Sequence, residues 1–175
     1  MTRWPGHAVL QVPVPPLEPY VRGRYHFYDP SLLGVSDLPG IGFVHAHVTV
    51  LGLFDELPDP GDVASVAGRM TGFDAHCRRV RAFPNGIIHC PAEPAEGFGR
   101  LHDLARAAFP GIEPYRGHYD VDPHVTLDAV GVEVSVRSVA RELSGVLPVT
   151  FRAEALDLVW YEQGRTRLLG RWGLG

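Results

Sequence analysis

The tetrapeptide His47-Val48-Thr49-Val50 returns as His124-Val125-Thr126-Leu127, at an offset of 77 residues. Two further features keep nearly that spacing. Asn85-Gly86, a dipeptide suited to tight hairpin turns, recurs as Gln163-Gly164 at an offset of 78. The apolar positions Val63, Val66, Ala67 and Met70 recur as Val136, Val139, Ala140 and Leu143 at an offset of 73, and both sets fit one face of a helix. Each half then reads motif strand, helix, strand, turn, strand. A duplication of this kind predicts an α+β fold of two similar lobes related by a pseudo-twofold axis. Each lobe is expected to be an antiparallel sheet with helices on its outer side and a groove between the lobes. With no low-complexity linker, residues 1–175 are expected to form one bilobal domain.

Other elements follow from local pattern. His7 to Val14 reads as a first strand, and Val44 to Phe54 as a strong one. The segment from Pro15 to Gly42 is rich in Pro, Gly and aromatics and too long for a plain connection, so a short helix or packed loop is expected inside it. A helix follows with Asp62 near its start, Phe73–Phe83 and Ile87–Pro91 form a hairpin, and a helix runs from about Pro94 to Ala108 with the stripe Phe98, Leu101, Ala105, Ala108. His124 to Val130 is a strand. In Val149 to Tyr161 the apolar parity switches near Ala155, which predicts a bulge or break. Arg165 to Trp172 returns as the last strand.

Composition removes several chemistries. The chain has no lysine, so all its basic side chains are arginine. That excludes a lysine-nucleophile nucleotidyl transferase, Schiff-base and pyridoxal-lysine chemistry, and a Walker A site. The net charge of −4 rules out a strongly basic nucleic-acid trap, though not a local patch. Cys77 and Cys90 are the only cysteines and form no CxxC; two buried thiols in a reducing compartment are expected. No apolar run approaches the ~20 residues of a membrane helix. Met1 to Gly6 carries no secretory pattern, so the expected location is cytoplasmic. GxSxG and HExxH are absent.

In a strand, alternate side chains share a face. His47 and Thr49 therefore point away from Val48 and Val50, as His124 and Thr126 do from Val125 and Leu127. Two such polar faces meeting across a groove suit phosphodiester chemistry. Imidazole titrates near neutrality, so a neutral ring can accept a proton from water or a ribose hydroxyl. A protonated ring can supply the leaving oxygen, and threonine hydroxyls can hold the non-bridging phosphate oxygens. The scheme calls for no metal or cofactor. Tyr115, Tyr119 and His118 could stack a base or sugar, and Arg165, with Arg167, could hold a phosphate. Arg78, Arg79 and Arg81 read as a solvated strand or a basic rim. His76 and His89 read as exposed or half-buried strand residues, and Trp160 and Tyr161 as opposite faces of one strand.

The paired His-x-Thr-x motifs, one per half, resemble the signature of the 2H phosphoesterase superfamily. The chain looks like its bacterial 2′-5′ RNA ligase-like branch, which includes RNA 2′,3′-cyclic phosphodiesterases. The resemblance extends to FPNGIIHCPAEP, to PYRGHY ahead of PHVTL, and to the closing RWGLG. It implies a bilobal α+β fold with its site in the central groove. It also implies catalytic roles for His47 and His124, phosphate binding by Thr49 and Thr126, and an RNA or nucleotide phosphodiester as substrate. Neither a membrane nor an obligate protein partner is implied. The long Pro15–Gly42 segment and the missing lysines depart from the family pattern.

Two other readings compete. His45-Ala46-His47 is an HxH, so His45, His47 and His124, with Asp122 or Asp120, could form a zinc hydrolase site. That gives the repeated threonines no role. A non-catalytic nucleotide-binding module would keep the groove without turnover.

Overall fold

The computed structural model describes residues 5–24, 31, 33–117 and 122–175. His26, His118, Tyr119 and Asp120 lie outside them. The described residues form ten strands and four α-helices. In chain order these are β1 (His7–Pro13), α1 (Glu18–Arg22), β2 (Val35–Ser36), β3 (His47–Phe54), α2 (Pro60–Gly68), β4 (Phe73–Cys77), β5 (Arg81–Ala82) and β6 (Ile87–Glu93). Then come α3 (Ala95–Ala108), β7 (His124–Ala129), α4 (Val136–Glu142), β8 (Val149–Ala153), β9 (Ala155–Tyr161) and β10 (Arg167–Gly173).

The strands join in the order β2-β10-β9-β1-β3-β7-β6-β4-β8, with β5 paired to β6. The two motif strands, β3 and β7, meet at the centre through one antiparallel pair, Val48 opposite Val125. On either side of this seam the pairing is equivalent. On β1, Pro13, Val12 and Gln11 oppose His47, Val48 and Thr49. On β6, Pro91, Cys90 and His89 oppose His124, Val125 and Thr126. The two lobes of the expected duplication are therefore present, but the halves exchange strands. Hairpin β4–β6 follows β3 in sequence and yet sits beside β7, while β9–β10 follows β7 and sits beyond β1.

That exchange explains the parity switch near Ala155. The chain breaks between β8 and β9 because β8 pairs with β4 in one lobe and β9 with β1 in the other. Likewise the strand expected over Phe73–Phe83 is split into β4 and β5. β3 begins at His47 rather than Val44, and β10 at Arg167 rather than Arg165.

The helices pack through the predicted stripes. Val63, Val66 and Ala67 of α2 are buried, as are Phe98, Leu101 and Ala105 of α3 and Val139 of α4. Ala108 and Ala140 are exposed, so those stripes are narrower than the spacing predicts. Val48, Val50, Val125 and Leu127, on the faces opposite the motif His and Thr, join these helix residues in one hydrophobic cluster fed by both halves. Asp59 caps α2, its carboxylate accepting the Gly61 and Asp62 N–H groups. Asn85-Gly86 turns as expected, with Gly86 at φ 88° and Asn85 Oδ1 accepting the Ile87 N–H. Cys77 and Cys90 are free, buried and in hydrogen-bonding contact. No helix among the described residues is long and apolar enough to cross a membrane.

Candidate active site in the central groove

Directly opposed residues of an antiparallel pair project to the same side. Stepping one residue either way from Val48–Val125 brings His47 abreast of Thr126, and Thr49 abreast of His124. The four motif side chains thus share one face at the seam, each half-buried. Both rings are oriented identically. His47 Nδ1 donates to the His45 carbonyl at 2.6 Å, and His124 Nδ1 to the Asp122 carbonyl at 2.6 Å. With Nδ1 committed to backbone two residues upstream, Nε2 is the nitrogen that each ring keeps for chemistry.

Burial governs the titration of both. It pushes His47 down to about 4, against the supporting His45 carbonyl and with further depression from the neighbouring His124. His124 is also held below the usual imidazole value by burial, with the Asp122 carbonyl and carboxylate opposing.

Each histidine has an aromatic and a polar companion in equivalent positions. Tyr161 lies 6.2 Å from the His47 ring and donates its hydroxyl to Gln11 Oε1 at 2.8 Å. Phe83 lies edge-on 4.9 Å from His124 and stacks on His89 at 3.7 Å. His89 is itself 5.3 Å from His124 and only 5% exposed, which corrects its placement on an exposed or half-buried face. Burial lowers its pKa. The motif pattern does not single out these companions, although a signal for them is present. Gln11 to His89, Pro13 to Pro91 and Phe83 to Tyr161 each repeat at an offset of 78.

Beyond Gln11 the polar row continues across the sheet. Gln11 opposes Asp157, and Asp157 opposes Arg171. The Asp157 carboxylate, 1% exposed, accepts two hydrogen bonds from the Arg171 guanidinium at 2.6 and 2.8 Å. Burial still raises the Asp157 pKa, outweighing the arginine.

A cavity of about 610 Å³ lies beside His124, bounded by Phe83, Asn85, Ile87, Tyr115 and Thr126. That volume falls in the usual range for a small-molecule site. Tyr115 reaches it from a left-handed backbone conformation (φ 48°), and its hydroxyl hydrogen-bonds Thr49 across the seam. Tyr115 is thus brought to the motif residues. Arg165 is not: it is exposed in the turn between β9 and β10, and Arg167 is paired with Asp37. Arg78 leans toward Glu93, and Arg81 is exposed beside His89.

The His45 zinc reading does not fit this arrangement. His45 is 1% exposed, its Nδ1 is 2.7 Å from the Glu18 carboxylate, and its Nε2 accepts the Gly34 N–H at 3.0 Å. Both ring nitrogens are occupied, so neither is offered to a metal. HxH here marks a buried support, and the described residues contain no cluster of three metal-ligating side chains.

Solved structures with the same architecture include Escherichia coli LigT complexed with 3′-AMP. It is 18% identical, with 98% of this chain and 99% of that one covered and a TM-score of 0.57. TT0787 of Thermus thermophilus is 21% identical, with 96% and 97% covered and a TM-score of 0.58. LigT complexed with NADP+ is 17% identical, with 98% and 99% covered and a TM-score of 0.56. These likenesses show a shared fold. No curated protein matches the sequence. The model of the 2′-5′ RNA ligase superfamily matches residues 13–165, a span that holds both HxTx motifs, and the chain belongs to that superfamily of 2H phosphoesterases.

Proposed function

We propose that the protein hydrolyses, or reversibly transesterifies, a 2′,3′-cyclic or 2′-5′ phosphodiester of RNA or a nucleotide. The observation that carries this reading is the matched pair of imidazoles. Both are tethered through Nδ1 to backbone, and both stand on the same face of β3 and β7 with a threonine abreast of each. For a cyclic phosphate, one neutral imidazole takes a proton from water as the water oxygen bonds phosphorus. The other ring, protonated, gives its proton to the ribose oxygen as the P–O bond breaks. Thr49 and Thr126 donate to the non-bridging oxygens, where negative charge gathers. The cavity beside His124 has the dimensions of a nucleoside site, and Tyr115 is placed to contact its occupant. That LigT was solved with 3′-AMP supports a nucleotide in this groove.

Assays on 2′,3′-cyclic nucleotides and 2′-5′-linked dinucleotides test the reading, and absence of turnover on both would reject it. EDTA is expected to leave the rate unchanged, because the scheme moves protons between side chains and substrate only. The pH profile is a second test. In kcat/KM, which reports the free enzyme, the acid limb is expected near pH 4, where His47 becomes protonated. The alkaline limb is expected at a midpoint below the ordinary histidine value, where His124 loses its proton. An optimum displaced to the acid side of neutrality is therefore expected.

A further inference from the structure

Behind the matched rings lies one difference. The peptide unit that orients His47 joins His45 to Ala46. Its carbonyl accepts the His47 Nδ1–H at 2.6 Å, and its N–H donates to Glu18 Oε2 at 2.9 Å. The same carboxylate oxygen accepts the His45 N–H at 2.6 Å, while Oε1 accepts His45 Nδ1–H at 2.7 Å. Gly34 N–H, donating to His45 Nε2, fixes that tautomer. Glu18 comes from the first turn of α1, and the bonds it accepts converge on this single strand entry.

A carboxylate at the N–H end of a peptide polarises it and makes its carbonyl oxygen a stronger acceptor. The bond to His47 Nδ1–H then strengthens most when the ring is an imidazolium. The arrangement is a carboxylate–histidine pair with one peptide inserted between the partners. At His124 the orienting peptide is Asp122–Pro123. Proline has no N–H, so no carboxylate can be relayed there.

We propose that Glu18 is a positioning residue for His47, acting through the His45–Ala46 peptide to fix the ring and favour its protonated form, so that His47 accepts the proton and His124 donates it. This rests on the two-histidine reading and assigns its roles. His47 is faced by His124 from β7, by Tyr161 from β9, and by His45 and Glu18 from behind. Among these groups Glu18 is the carboxylate, and the one whose charge opposes the depression of His47. The segment from Pro15 to Gly42 thereby gains a purpose, since it supplies both Glu18 and Gly34.

The test is Glu18→Gln, read by steady-state kinetics on a 2′,3′-cyclic nucleotide and by NMR titration of the histidine rings. Expected is a fall in kcat of about 10–100-fold, the scale seen when a partner that orients an imidazole is removed, with KM little changed. The His47 midpoint moves to lower pH while the His124 midpoint stays, and Glu18→Asp recovers part of both effects. Two results would overturn the proposal: unchanged turnover, or turnover lowered equally at every pH with the His47 midpoint unmoved, as a purely structural role requires. If Glu18→Gln does not fold, Glu18→Asp against wild type carries the same comparison. A wild-type protein inert on phosphodiesters would reject the parent reading, whereas the titration would still report whether Glu18 acts on His47.

Discussion

His47→Ala and His124→Ala each lower kcat on a 2′,3′-cyclic nucleotide by about 10²–10⁴-fold, the worth of a positioned acid or base. Fold should survive in both, because each ring is half-buried on the groove face while Val48 and Val125 carry the core contacts. Circular dichroism and melting temperatures near wild type check this. The pair of variants also separates the roles. A nitrophenyl phosphodiester has a leaving group that departs without a proton. Loss of an acid is then forgiven and loss of a base is not, so His124→Ala should regain most of its deficit on that substrate and His47→Ala should not. Full activity of either variant on the cyclic nucleotide would remove the two-histidine mechanism. Regain by His47→Ala alone would invert the assignment and with it the role given to Glu18.

The motif quartet was legible in the sequence because it depends on short-range rules. Alternation along a strand puts His47 with Thr49 and His124 with Thr126, and the repeat supplies the pseudo-symmetry. The exchange of strands between halves was not legible. Residues 73–93 satisfy the same hairpin pattern whether they pair with β3 or β7, and only the shared core decides between the two. The parity break near Ala155 was its one local trace. Gln11 and His89 were missed because their segments QVP and HCP share little but proline, though they repeat at the proper spacing. Glu18 was beyond reach in another way. It meets His45 across a sequence separation of 27, and no periodicity links a carboxylate in a five-residue helix to a strand entry. His45 shows the converse limit: HxH spacing admits a ligand as well as a strand-end residue, and the burial of its ring with both nitrogens occupied decides for a strut.

Arg171→Met is expected to destabilise the protein by about 3–5 kcal/mol at neutral pH, the scale for leaving one member of a buried pair uncompensated. The Asp157 carboxylate is 1% exposed, and its two bonds from Arg171 are its side-chain ion pair in the sheet. The sign with pH follows from its raised pKa. A carboxyl that holds its proton more tightly folded than unfolded costs stability once pH rises above the folded value, and that cost is relieved as pH falls. Removing Arg171 takes away the group that lowers the Asp157 pKa, so the value climbs and the relief begins at higher pH. Urea unfolding of wild type and variant should therefore show a gap that narrows from pH 7 toward pH 5. Adding Asp157→Asn to Arg171→Met should recover much of the loss at pH 7, since a neutral amide carries no unpaired charge. If the double variant is as unstable as Arg171→Met and the gap ignores pH, lost packing of the arginine stem is the cause. Because Asp157 opposes Gln11, and Gln11 accepts the hydroxyl of Tyr161, whose ring lies 6.2 Å from that of His47, this pair also anchors the wall beside the His47 ring.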